Sequence, residues 1–301
     1  MKLLKPKYDV VFQALFQGNK ENITGSFISD ILEREVEIID IKTDNTIMRE
    51  YPDEKAGRLD LVTKFKDGTI CQIEMQMADE HNTIKRILYY WSKTYSKQLK
   101  RGESYRDLKK TIGIIITNYE IEELKGIEEL NIKWMIADQK GRKILTEDLE
   151  LRIIEIPKAK RILETEGNNR IAQWLAFIDN PNDKGVKKIM EENEEVKKAE
   201  RVLHEMSEDE KLQRLAELRE KWELDERSAR IASEDIGFAR GKAEGKAEGK
   251  VEGEAIGRKV GKAEGEIISK KNIAKKLKEM NMKMEDIVKA TGLTKEEIEQ
   301  L

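Results

Sequence analysis

Two alternating runs, Arg58–Phe65 and Thr69–Gln76, flank Lys66-Asp67-Gly68, and this arrangement constrains the chain more than any other feature. Alternation on both sides of a short Gly-containing loop predicts two antiparallel strands. A three-residue connection with Gly in the left-handed position is a common hairpin loop. That length sets Phe65 opposite Thr69, Asp60 opposite Glu74 and Arg58 opposite Gln76. Side chains alternate between faces along a strand. One face then carries Leu59, Leu61, Phe65, Cys71, Ile73 and Met75, and the other Arg58, Asp60, Lys64, Gln72, Glu74 and Gln76.

The second face has two readings. It is a wet face of an amphipathic hairpin, or it is a site. Like charges directly across a strand pair are destabilising, and two carboxylates about 5 Å apart repel by roughly 3 kcal/mol at an effective dielectric of about 20. A divalent cation removes that repulsion, and hard cations such as magnesium prefer carboxylate oxygens. A two-residue turn would put Asp60 and Glu74 on opposite faces and remove the argument.

Apolar residues make up 38% of the 301 and charged residues 39%, too polar an average for one compact globule, so a folded front and a charged, extended back are expected. Lys and Arg number 57 against 60 Asp and Glu, a formal charge of −3, so any nucleic-acid contact must come from local clusters. The single cysteine, Cys71, rules out an internal disulfide and fits a reducing cytoplasm. No apolar run approaches the ~20 residues of a membrane span, and the N-terminus lacks the apolar core of a signal peptide.

Asp9 precedes Val10–Phe16 and is placed to cap a short helix. Ile23, Phe27, Ile31 and Leu32 mark a second helix, and Val36–Thr43 a first strand. After the hairpin, Ile84, Ile87, Leu88, Trp91 and Tyr95 recur at helical steps over Thr83–Leu99. Thr111–Thr117 is a continuous apolar run, as expected of a strand covered on both faces. Ile132–Ala137 and Leu149–Ile156 read as further strands. The order implies an α/β (α+β) fold, a mixed sheet flanked by helices, in residues 1–157.

Residues 158–236 form a charged helical region, with Ser207–Glu210 as a capping box and an apolar stripe at Leu212, Leu215, Leu218 and Trp222. In residues 237–267, Gly237 to Gly265 recur at every fourth position. Collagen needs every third. On a helix a four-residue step drifts by about 40°, and each Gly costs about 1 kcal/mol against Ala. The pattern favours a flexible linker over a helix that forms only by self-association. Residues 268–301 form a small helical module, with Gly292 as a turn and Thr294–Glu297 as a capping box. It is either helix-turn-helix-like or a packing module, since Glu296, Glu297 and Glu299 suit a DNA groove poorly. The repeat and the tail helices offer a route to a homo-oligomer.

Asp60, then thirteen residues, then Glu74-Met-Gln76 resembles the core of PD-(D/E)xK nucleases. With Asp9–Phe16, Arg58-Leu-Asp60, Tyr89-Tyr90 and the Gly-charged repeat, the chain looks like the Rpn family of recombination-promoting nucleases and transposases. The resemblance covers the first half well and the tail loosely. It implies a restriction-endonuclease-like sheet and magnesium-dependent cleavage of DNA, in recombination or mobile-element biology. Asp60 and Glu74 would be the metal ligands, with the Met75 carbonyl as a third, and Gln76 stands where the superfamily motif names lysine. Gln carries no charge and takes no proton, but its amide orients a water or phosphate. Arg58, across from Gln76, either supplies the missing charge or is a solvated salt-bridge partner. Asp9 is either a helix cap or a further carboxylate. Tyr89, Tyr90, Lys93 and Lys97 either contact a DNA backbone or combine packing with a solvated face. His81 and His204 have no metal-ligand spacing. Strand transfer of the RNase H kind normally needs three carboxylates, and two are well placed here. The other reading is a degenerate nuclease fold that binds DNA or protein without cleaving.

Overall fold

The computed structural model describes residues 2–43, 61–79 and 81–301, so Arg58 and Asp60 lie outside the described residues. It divides into two compact units, one ending at Glu226 and the other Arg227–Leu301. In the first, the hairpin forms as expected. Strand β2 (Leu61–Phe65) pairs antiparallel with β3 (Ile70–Gln76), with Leu61 opposite Ile73 and Thr63 opposite Cys71. Gly68 takes φ +89°, the left-handed conformation that a side chain would strain, and its N–H donates to the Phe65 carbonyl at 3.0 Å. Asp67 closes the loop by accepting from the Thr69 N–H at 2.8 Å.

The hairpin belongs to a mixed sheet that also holds β1 (Ile38–Lys42), β4 (Thr111–Thr117), β5 (Ile132–Trp134) and β6 (Leu149–Glu155). Among the described residues the strand order is β1-β2-β3-β4-β6-β5. Strands β3, β4 and β6 run parallel, and the other pairings are antiparallel. Every residue of β4 is buried, which explains its unbroken apolar run.

Helices cover both faces. On one lie α1 (Asp9–Gln17), α2 (Ile23–Leu32), α5 (Arg170–Asp179) and α7 (Glu194–Met206). Their core includes the aromatic group Phe12, Phe16, Phe27 and Trp174 above Leu61, Cys71 and Ile73. On the other lies α3 (Thr83–Ser96), whose Ile87 packs with Ile115, Leu151 and Ile153. At Gly113 a Cβ would crowd Leu151 Cδ2 of β6 at 3.0 Å, whereas Ile87 Cγ1 of α3 would stand at an ordinary 3.5 Å.

Several local expectations change. Tyr8, not Asp9, is the N-cap of α1, and Asp9 lies in the first turn, bonded to the Val10 N–H and to Arg219 Nε at 2.9 Å. Ser207 ends α7 and bonds back to the Leu203 carbonyl, so Asp209 caps the next helix by accepting from Lys211 and Leu212. The chain beyond Pro157 does not leave the first core. Helices α4 (Ile156–Thr165), α5, α6 (Lys184–Glu192), α7 and the start of α8 (Glu210–Glu279) contribute Ala159, Trp174, Val186, Leu203 and Leu212 to it.

The Gly repeat also differs from a flexible linker: α8 runs through it as helix, exposed on all sides. A Cβ on any glycine from Gly237 to Gly265 would meet nothing within 4 Å, so the glycines relieve no crowding within the chain. Past α8, α9 (Met284–Thr291) and α10 (Lys295–Glu299) close a small core of Ala274, Ile287, Leu293 and Ile298. Gly292 turns at φ +70°, and Thr294 and Glu297 form the expected capping box.

Candidate active site

Alternation along β3 sends Gln72, Glu74 and Gln76 to the face beneath α3, where all three are buried; Glu74 is 4% and Gln76 6% exposed. That face is not wet, and its polar groups therefore need partners. With its amide oriented to satisfy both ends, Gln72 donates to the Tyr90 carbonyl (3.2 Å) and the Thr94 hydroxyl (2.5 Å) and accepts from the Trp91 N–H (2.9 Å). It thereby ties the strand to the helix backbone.

Glu74 is met by Arg86, one turn into α3, whose Nε donates to Oε1 at 2.5 Å. The Arg86 guanidinium also stands 5.6 Å from the centre of the Tyr90 ring, a cation–π distance. Beside this pair, the Thr83 and Tyr119 hydroxyls share a hydrogen bond of 2.7 Å. Burial, outweighing the opposing bond from Thr83, raises the Tyr119 phenol well above its ordinary pKa, so it is a neutral hydrogen-bonding group. Asp79 and Glu74 add to that rise and Arg86 opposes it, which places all four in one electrostatic neighbourhood.

Arg86 thus already supplies positive charge to Glu74. Sequence reasoning missed Arg86. Its signal was the four-residue step to Tyr90 on the inward side of an amphipathic helix, but periodicity does not say which strand residue that side meets.

Of the other predicted residues, Lys93, Asp9 and His81 fall apart from this group. Asp60 and Arg58 lie outside the described residues. Tyr90 is buried under Arg86, whereas Lys93 is exposed, its Nζ 5.8 Å from the centre of the exposed Tyr89 ring. Asp9 bonds to Arg219 rather than to the residues around Glu74. His81 is exposed and pairs with Asp79 at 3.3 Å. The other buried acids of the sheet have structural partners. Glu150 holds Lys110 at 2.6 Å and Arg152 at 2.9 Å, and Glu155 holds Lys158 and the Ile121 N–H.

A profile of the PD-(D/E)XK nuclease family transposases matches residues 6–233. The chain belongs to that family. No curated protein and no solved structure matches it. The matched span takes in the whole sheet and α1–α7, so membership covers the part of the fold that carries Glu74.

Among the described residues of this PD-(D/E)XK chain, no group of three His, Cys, Asp or Glu is gathered as for a metal. The donor chemistry nonetheless fits a hard cation. Gln76 Oε1 is a buried acceptor with no hydrogen-bond partner among the described residues, two positions along the same face from the Glu74 carboxylate. Carboxylate and amide oxygens are the ligands that magnesium and calcium take.

Proposed function

We propose that this protein is a divalent-metal-dependent endodeoxyribonuclease that hydrolyses DNA phosphodiester bonds in recombination or mobile-element movement, with magnesium as the ion. The observation that carries this reading is the buried Gln76 acceptor beside Glu74, within a chain of nuclease-transposase membership. Asp60 is the second ligand in this proposal, because a strand continuing the Leu61–Ile73 register by one residue would set it across from Glu74. The bound ion would supply an activated water and stabilise charge on the scissile phosphate. Gln76 would contribute its oxygen to the ion or its water, and Arg58, one pair further on, would face the phosphate.

Substrate DNA lies along α3 in this reading. From His81 to Gly102 the chain carries Lys85, Arg86, Lys93, Lys97, Lys100 and Arg101 and not one Asp or Glu. Lys85, Tyr89, Lys93 and Lys97 form one exposed row at four-residue steps. Such a row suits contact with a phosphate backbone, independent of base sequence. Tyr90 then acts beneath the surface, supporting Arg86. Among the described residues no helix is long and apolar enough to cross a membrane, and the lone thiol of Cys71 is buried, in keeping with a cytoplasmic protein.

Plasmid DNA incubated with magnesium tests the reading, with wild type and Asp60→Ala side by side. Nicking or linearisation that EDTA and Asp60→Ala both abolish is the expected result. Equal magnesium binding by wild type and Asp60→Ala would remove the site.

The guanidinium on Glu74, together with Gln76 in the lysine position, favours one other reading: a nuclease fold that binds DNA without cutting it. Binding would then persist in EDTA and survive Glu74→Ala.

A further inference from the structure

We propose that Arg86 is the resident counter-cation of the Glu74 site, exchanging Glu74 for the substrate phosphate when a divalent ion binds. This rests on the reading of Glu74 as a metal ligand. Glu74 is sealed beneath α3, its side chain 5% exposed, and a carboxylate so buried is costly without a positive partner. Arg86 provides one at 2.5 Å, yet its own side chain is 25% exposed. It therefore reaches Glu74 from the solvent edge of the site.

A divalent ion on the Glu74 carboxylate would stand within a few ångströms of that guanidinium. Repulsion at that distance is strong in a partly buried site, so ion and arginine compete for the same acid. Arginine stays charged at all working pH values, so proton loss cannot resolve the competition. Movement can. The guanidinium already stands 5.6 Å from the centre of the Tyr90 ring, a contact independent of Glu74, and the planar fork of an arginine suits phosphate oxygens. Gln76 leaves this site without the cation that the family motif places on the same strand, and Arg86 brings one from the neighbouring helix. Arg86 is thus a positioning residue toward the ion and a substrate-contacting one toward DNA.

Magnesium titration calorimetry on the full chain without DNA tests the exchange, using wild type, Arg86→Gln, Arg86→Lys and Glu74→Gln. Removing the competitor is expected to tighten magnesium binding about tenfold in Arg86→Gln, within the usual range for coupled sites. Arg86→Lys, which keeps charge on a shorter reach, should tighten it by a smaller factor. Plasmid cleavage at saturating magnesium should fall at least tenfold in Arg86→Gln even though the ion binds better. A residue that only props up the fold would lose both together. Unchanged or weaker magnesium binding by Arg86→Gln, with its circular dichroism intact, overturns the proposal. Should Arg86→Gln not fold, Arg86→Lys decides, and unchanged affinity there also overturns it. Glu74→Gln separates the two layers. If it binds magnesium as wild type does, the site reading fails and takes the exchange with it. If it loses binding while Arg86→Gln matches wild type, only the exchange fails.

Discussion

Arg86 on α3 donates its Nε to Glu74 Oε1 on β3 at 2.5 Å, beneath a helix that buries the carboxylate. Breaking one side of a buried ion pair leaves the other uncompensated, which typically costs about 3 kcal/mol or more. Glu74→Gln and Arg86→Gln are each expected to destabilise the first unit by roughly 2–4 kcal/mol, with the double variant short of the sum by about 1–3 kcal/mol. Urea unfolding of the four proteins measures this, and additive losses would show that the pair is not coupled.

Lys93 and Lys97 share the outer row of α3. Each phosphate contact contributes about one unit to the slope of log affinity against log salt. Lys93→Ala and Lys97→Ala should each flatten that slope by about one and weaken binding to all DNA sequences alike. Unchanged slopes would move the DNA off this helix.

Glu150 is buried, and burial alone would push its carboxyl up. The bonds from Lys110 and Arg152 outweigh that and hold it below the ordinary value of 4.5. A carboxyl lowered in the folded state stabilises the fold above its unfolded pKa. That contribution fades as pH falls from about 4.5 through the lower folded value. Glu150→Gln should cost about 3 kcal/mol at neutral pH, and the gap to wild type should narrow below pH 4.5. A gap that stays constant down to acid denaturation would exclude this account.

Gly245, Gly249 and Gly253 sit in an exposed helix where an added Cβ meets nothing within 4 Å. Alanine at each should stabilise that stretch by about 1 kcal/mol, read as higher amide protection and a higher melting temperature of the helical signal. If alanine instead lowers helicity and the loss depends on protein concentration, the glycines seat a second copy of the chain.

Much of the fold was legible because its signals are local. Gly68 set the hairpin register through one left-handed turn, Thr111–Thr117 announced a strand covered on both sides, and the Thr294–Glu297 box opened α10 where expected. The repeat misled, because the glycine cost argues against a helix residue by residue, and α8 runs through all eight glycines nonetheless.

Alternation and turn length, acting over a few residues, determined that Gln72, Glu74 and Gln76 share one face of β3. What covers that face was a matter for tertiary structure alone. Helix α3 could have left it to water; instead it packs over the face, buries three polar side chains and brings Arg86 onto Glu74. The same holds for Asp9, whose arginine partner lies 210 residues away. Periodicity states which side of an element avoids water, but the opposing charge for a buried acid comes from whichever element packs there, and packing is a property of the assembled chain.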